Sequence, residues 1–221
     1  MSPRSRLGSA VRAIALAELA GVLLAACGAS FDPSVPCSQH GEEGQQSGAY
    51  PELEAVVPKD YAGQPPSRVD SGRTCSPDGL GTLAGHGITE LRFAGSTWST
   101  GSESGVTLAT FSSVNGPDLE AAWLAEFYDA SARSGKNVQS LDAYDSDIDG
   151  ATGRRIDVLN NESYQSVVVW EQDARVVVAV VADSIREVQT KEAHDRNVEL
   201  AISALRGFGS IPPAVPVPAS S

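Results

Sequence analysis

Two runs of β-branched residues, Val167-Val168-Val169 and Val176-Val177-Val178, stand on either side of Glu171-Gln172-Asp173-Ala174-Arg175. Three consecutive valines give a strand no polar face, so both runs must be covered on both sides. The polar connector between them suits a hairpin. Ser163 to Trp170 and Val176 to Val181 are therefore expected as paired, central strands, and the rest of the chain must supply layers for the two faces of the sheet that contains them.

Other segments supply those parts. Ile88 to Phe93 and Val106 to Phe111 alternate apolar and polar side chains over most of their length, the period of half-buried strands. The stretch between them, from Gly95-Ser96-Thr97 to Gly101-Ser102-Glu103-Ser104-Gly105, reads as a loop. Val138 to Tyr144 and Gly153 to Leu159 add two more strands. Asp118 to Arg133 spaces Leu119, Trp123, Phe127 and Ala130 at helical intervals and is closed by Gly135. A last helix from Thr190 to Arg206 carries Val198, Ala201, Ile202 and Leu205 on one face. Pro51 to Val56, stopped by Pro58, predicts a short helix. Ser76-Pro77-Asp78 supplies a cap, an N1 proline and a first-turn acid for another, ending near Gly85 or Gly87.

The order of elements predicts a single α+β domain, a mostly antiparallel sheet with helices packed on it. A chain of 221 residues is long enough for one such domain with its own core. The globular part is expected over residues 50–209, after a flexible tether at 27–49. The tether reading rests on His40-Gly41-Glu42-Glu43-Gly44-Gln45-Gln46-Ser47-Gly48, which buries too little apolar area to offset the entropy of ordering. Residues 210–221 form a proline-rich tail.

Arg4, Arg6 and Arg12 precede an apolar run from Ala13 to Ala26, interrupted by Glu18 and Gly21. This is the layout of a signal peptide, and the run is short of the roughly 20 residues that span a bilayer. Its end, Leu24-Ala25-Ala26-Cys27 followed by Gly28, resembles the lipobox of bacterial lipoproteins of uncharacterised exported families. The resemblance covers residues 1–26 and the cysteine after them. It implies cleavage before Cys27, diacylglycerol on the Cys27 thiol and a further acyl chain, such as palmitate, on its amino group. Such an anchor holds a protein to the extracytoplasmic side of its cell membrane, because each buried methylene contributes about 0.8 kcal/mol. In element order the domain is also loosely similar to PsbP-like and related lipoprotein folds, in which helices flank a sheet. That likeness carries no motif and transfers no catalytic residue.

With Cys27 given to lipid, Cys37 and Cys75 remain as a pair in an oxidising compartment and are expected to form a disulfide. Metal or redox thiols are the alternative, disfavoured by the absence of C-x-x-C and of a third cysteine. The chain has 28 acidic and 16 basic side chains, a formal charge of −12. Losing residues 1–26 removes three arginines and one glutamate and takes it to −14. Such a field repels phosphate backbones, so nucleic acid is not an expected partner.

Asp145-Ser146-Asp147-Ile148-Asp149-Gly150 matches the opening of a calcium loop, where Asp145, Asp147 and Asp149 would supply oxygens. Ile156 stands where such a loop needs its bidentate glutamate, and strands flank the segment in place of helices. The departure favours the other reading, an exposed strand running into a turn at Gly150-Ala151-Thr152-Gly153. No cofactor other than calcium is suggested. Of the three histidines, His40 falls in the tether, His86 near a helix end and His194 in register with Val198, each read as a surface or cap residue. No hydrolase, zincin, P-loop or dinucleotide motif is present. Trp98 and Tyr61 are the candidate binding aromatics, with capping of the core as the alternative for Trp98.

The reading from sequence is a non-enzymatic, lipid-anchored binding or accessory domain of the cell envelope. Its partner would be an envelope protein or a small ligand held between helix and sheet. The alternatives are an envelope hydrolase or glycan-active enzyme without a recognisable motif, and an envelope assembly factor.

Overall fold

The computed structural model describes residues 31–37, 43–148 and 150–207. The signal segment, Cys27, His40 and the proline-rich tail lie outside the described residues, as do parts of the expected tether.

The described elements run β1 (Gly44–Gln46), α1 (Pro51–Glu54), β2 (Arg68–Thr74), α2 (Pro77–Leu80), a 3₁₀ turn (Gly81–His86), β3 (Leu91–Ser99), β4 (Gly105–Ser113), α3 (Ala121–Ser134), β5 (Val138–Ile148), β6 (Ala151–Asn160), β7 (Ser163–Gln172), β8 (Arg175–Ser184) and α4 (Lys191–Arg206). All eight strands join one antiparallel sheet in the order β1-β2-β3-β4-β8-β7-β6-β5. The expected α+β architecture is present. Two meanders, one ending at β4 and the other at β8, meet along the β4–β8 ladder.

The valine runs are central and covered on both faces. Val169 pairs with Val178 and Val167 with Val180. Because successive strand residues point to opposite faces, Val167 and Val169 pack with Leu124, Ala125 and Tyr128 of α3. Val168 and Trp170 pack with Val198, Ala201 and Ile202 of α4. The sheet thus separates two apolar cores, each roofed by one long helix. Gln172 and Arg175 flank a tight turn, with Asp173 at φ 50° and Ala174 at φ 58°. Both central residues are left-handed, as a two-residue hairpin turn demands, and neither is glycine.

Helix α4 matches its predicted stripe, and Thr190 caps it by accepting from Ala193 N at 3.3 Å. Helix α3 is present, but its buried face is Leu124, Ala125, Phe127, Tyr128 and Ala132. Leu119 precedes the helix, and Trp123 is only partly buried against the core. Of the expected stripe Phe127 is on the buried face and Ala130 is exposed, because two adjacent rows of apolar residues run along this helix and the row through Leu124 and Tyr128 also faces the sheet.

Three expectations about loops are corrected. The segment Gly95–Ser99 is the second half of β3, since Ser96 and Trp98 are buried and Thr97 pairs with Thr107. Ala151–Gly153 belongs to β6, and the connection from β5 is two residues long, with Gly150 at φ 84°. Within the expected tether, Gly44–Gln46 pair with Arg73, Gly72 and Ser71 of β2, and Ala49 is buried. Gly72 permits that pairing, because a Cβ there would strike the Gly44 carbonyl and the Phe93 ring.

The disulfide between Cys37 and Cys75 is formed, with Cα atoms 6.3 Å apart. Glu43 reinforces the same junction by accepting from Thr74 Oγ1 at 2.6 Å and Cys75 N at 2.8 Å. Burial pushes the Glu43 carboxyl up, but these bonds and those from Ser76 outweigh it and hold the carboxyl below its ordinary range.

Candidate functional site

Helix α3 roofs only part of its face of the sheet. Where it stops, a groove of about 210 Å³ crosses six successive strands from β1 to β7. Gly95, Thr97, Thr107 and Ala109 form its floor on β3 and β4, with Val180 and Ala182 of β8 and Val167 of β7 beyond them. These small side chains leave the depression. Phe93, Phe111 and Tyr128 wall it, and burial raises the Tyr128 phenol far above its ordinary range, so the ring presents a neutral hydroxyl.

Polar groups stand at both ends. On the β1–β2 side Asp70 accepts from Gln45 Nε2 at 2.6 Å and is paired with Arg68 Nε. On the β7 side Gln165, 5% exposed, donates from Nε2 to Ser163 Oγ at 2.9 Å. The amide oxygens of Gln45 and Gln165 are both buried without a hydrogen-bond partner. An unmade bond of this kind costs about 1–3 kcal/mol, and both residues that carry one are among those lining this groove.

A second depression, of about 370 Å³, lies between α3 and the β5–β6 hairpin. Its charged walls are already engaged: Glu126 with His86 at 2.8 Å, Asp129 with Arg133 at 2.7 Å and Asp145 with Arg154 at 2.9 Å. It offers a ligand little that is unsatisfied.

On the opposite face, beneath the first turns of α4, Ser166 Oγ lies 2.8 Å from His194 Nε2 and Asp183 Oδ2 lies 2.7 Å from His194 Nδ1. The distances are those of a nucleophile, a base and its orienting acid. The surroundings differ from a catalytic site. Ser166 is fully buried and gives its proton to Asp157 Oδ1 at 2.5 Å. The hydroxyl therefore meets Nε2 as an acceptor, the reverse of what a general base needs. Arg155 and Lys191 bind Asp157 at 2.7 and 3.0 Å, and Asp195 closes the ring with Lys191 at 2.8 Å and with Arg155. Burial pushes the Asp157 carboxyl up. Hydrogen bonds from Arg155, Ser166 and Lys191 and the Arg155 charge overcome it and hold the carboxyl below its usual range. The cluster welds α4 to β6, β7 and β8.

This corrects the reading of His194 as a surface or cap residue: it is 2% exposed. Its helical register with Val198 was the signal, since i and i+4 share a face. His86 does lie at the end of the 3₁₀ turn, stacked on Trp123 at 4.7 Å. Trp98 and Tyr61 do not form an exposed pair. Both are buried with ring centroids 5.6 Å apart, and Trp98 Nε1 donates to Gln64 O at 3.0 Å. They belong to the core under α4.

Asp145 and Asp147 lie at the exposed end of β5, and Asp147 accepts from Gly150 N at 2.8 Å. Asp149 lies outside the described residues. Among the described residues no three His, Cys, Asp or Glu side chains converge on a metal position, and no helix is long and apolar enough to cross a membrane. Gln45, Asp70 and Gln165 were not singled out by sequence reasoning. A polar residue facing an apolar row in a covered strand, as Gln165 does two positions before Val167, is the signal that could have found one of them.

Compared with protein-family models and with curated proteins, the chain matches none.

Proposed function

We propose that this protein is a lipid-anchored, extracytoplasmic binding domain of the cell envelope, non-enzymatic, whose ligand lies in the groove between α3 and the β1–β2 edge. The observation that carries this reading is Gln165, nine-tenths buried, lining an apolar groove with an amide oxygen that has no partner. A concave apolar surface with few polar groups is the usual form of a small-molecule site. The lipobox at Leu24-Ala25-Ala26-Cys27 supports the anchor and the location. The burial of Ser166 supports binding over hydrolysis, because the Ser166–His194–Asp183 constellation has no room for a substrate.

The test is native mass spectrometry of the full mature chain, exported by its own host and released gently in detergent. The wild type is expected to carry a non-protein mass that Gly95→Leu loses. A side chain at Gly95 is sterically admissible, since its Cβ would lie 3.5 Å from Thr107 Cγ2 and 3.7 Å from Ala109 Cβ, and it would fill the floor of the groove. The same adduct on both proteins, or none on either, would overturn a ligand in this groove.

A further inference from the structure

The two ends of the sheet are built differently. At one end β1 is three residues long and lies beside the Cys37–Cys75 disulfide and the Glu43 contacts. At the other, β5 is eleven residues long, and among the described residues its backbone pairs only on the β6 side. About half of the N–H and C=O groups of an edge strand point away from the sheet and can pair with a further strand. Proteins usually blunt such an edge by keeping it short, by proline or lysine, by a bulge or by covering it. Strand β5 has no proline and no lysine, and its one irregularity, between Val138 and Ser140, leaves Ser140 to Ile148 in unbroken register with β6. That stretch offers about 30 Å of open edge.

The side chains along this edge set what it can receive. Only Ile148 of the strand is buried, and Val138 and Tyr144 are two of the five large apolar side chains exposed among the described residues. Its charged residues are Asp142, Asp145 and Asp147. Leu141 and Ala143 pack under α3, so Asp145 and Asp147 stand on that face. Tyr144 donates to Asp157 on the α4 face at 3.1 Å, and Asp142 stands with it. Arg154 pairs with Asp145 from one strand behind at 2.9 Å and Asp147 accepts from Gly150 N, yet all three aspartates remain exposed.

Two copies of this chain are poorly matched here, because β5 against β5 would line one seam with six carboxylates and no cation. No segment outside the described residues fits either: the basic side chains there are Arg4, Arg6 and Arg12, all before Cys27. Opposite charges on neighbouring strands attract, so the matching occupant is a cationic strand of another protein. A strand antiparallel to β5 meets Asp147, Asp145 and Asp142 at its first, third and sixth positions. Its fourth position lies opposite Tyr144, whose ring packs well against a β-branched side chain.

We propose that β5 receives an extended segment of another protein as a ninth, antiparallel strand, recognised by the spacing cation-x-cation-x-x-cation with a β-branched residue at the fourth position. This surface is separate from the groove, none of whose lining residues belongs to β5.

The probe is the fluorescently labelled peptide Lys-Thr-Lys-Val-Thr-Lys-Val-Thr, titrated by anisotropy into the full mature chain in non-ionic detergent. Wild type and Gly95→Leu are expected to bind it equally. The triple variant Asp142→Asn, Asp145→Asn, Asp147→Asn should bind about tenfold more weakly, three cross-strand charge pairs being lost, while asparagine at 147 keeps an acceptor for Gly150 N. Alternate residues of a strand turn their N–H groups to the same neighbour. Of two peptides N-methylated at the odd or at the even positions, one should therefore bind and the other fail. Equal binding of both N-methylated forms, or of a peptide with glutamate in place of lysine, would overturn strand addition by a cationic segment. So would no binding at millimolar peptide, binding that Gly95→Leu abolishes, or a wild-type dimer that competes with the peptide, which would make a second copy the occupant.

Discussion

Asp183 of β8 and His194 of α4 meet at 2.7 Å with both side chains 2% exposed. Asn197 adds a second donor to the same carboxylate oxygen at 2.9 Å. A carboxylate taken this far from water is tolerated only while its donors are present.

His194→Leu should therefore cost roughly 3–5 kcal/mol of stability, the usual loss when one partner of a buried pair is removed. A shift in the urea midpoint at unchanged slope checks it. A loss below about 1 kcal/mol would mean that the pair is not what holds α4. The same burial predicts that a fluorophosphonate probe leaves Ser166 unlabelled in the folded protein, read by intact mass.

Acid should loosen the fold through Asp157, Asp195 and Glu187, in addition to Glu43 at the disulfide junction. Burial pushes Asp157 and Asp195 up, but the hydrogen bonds and charges of Arg155 and Lys191, with Ser166 on Asp157, hold both below the ordinary 3.8. Glu187, bonded by Ser102 Oγ, Ser104 Oγ and the backbone of Ser102, is lowered from 4.5 to about 2. A lowered carboxyl contributes stability above its unfolded value and loses it as pH falls through the folded one. Stability should fall from about pH 4.5 down to about pH 2, and Asp157→Asn should flatten the part of that slope lying below pH 3.8. Urea midpoints measured across that range decide it, and a parallel curve for the variant would remove Asp157 from the account.

Opening Cys37–Cys75 releases a loop of 38 residues. Loop entropy sets the expected loss at up to about 4 kcal/mol for the double Cys→Ser variant. Glu43 still grips Thr74 and Cys75, so faster amide exchange at β1 should accompany the loss without global unfolding. Alkylation under denaturing, non-reducing conditions should label neither cysteine in the wild type.

Ala174 occupies the left-handed region at φ 58°. An L side chain there costs about 1 kcal/mol or more, so Ala174→Gly should raise the melting temperature despite the added freedom of the unfolded chain. A lower melting temperature would show that the unfolded-state term wins.

Cys27→Ala should move the protein from the membrane fraction to the soluble extracytoplasmic fraction. Unchanged retention on the membrane would end the anchoring proposal for that thiol.

The hairpin of β7 and β8, the stripe of α4 and the cap at Ser76 were legible because each is written within a few residues of itself: β-branched runs, period-four spacing, a hydroxyl before a helix. Asp149-Gly150 also carried its own signal, since Asp-Gly between alternating segments marks a hairpin turn. Read as a longer turn over Gly150-Ala151-Thr152-Gly153, it places the start of β6 two residues late, at Gly153 and not Ala151. Strand β2, Arg68-Val69-Asp70-Ser71-Gly72-Arg73-Thr74, shows no hydrophobic period, although most of it is buried. Its polar side chains are satisfied by Gln45, Tyr50, Glu54 and Glu43, none of which is near it in sequence. The sequence by itself determined the type and extent of the strongly patterned elements and the class of the fold, because backbone propensity and side-chain alternation are local. Only the tertiary structure decided that β4 lies against β8, that Ser166, Asp183 and His194 share a sealed cluster, and that Gln45 and Gln165 end up at opposite ends of one groove. Those facts depend on the order of strands in the sheet, set by pairing between residues as far apart as Phe111 and Val176, which no window along the chain contains.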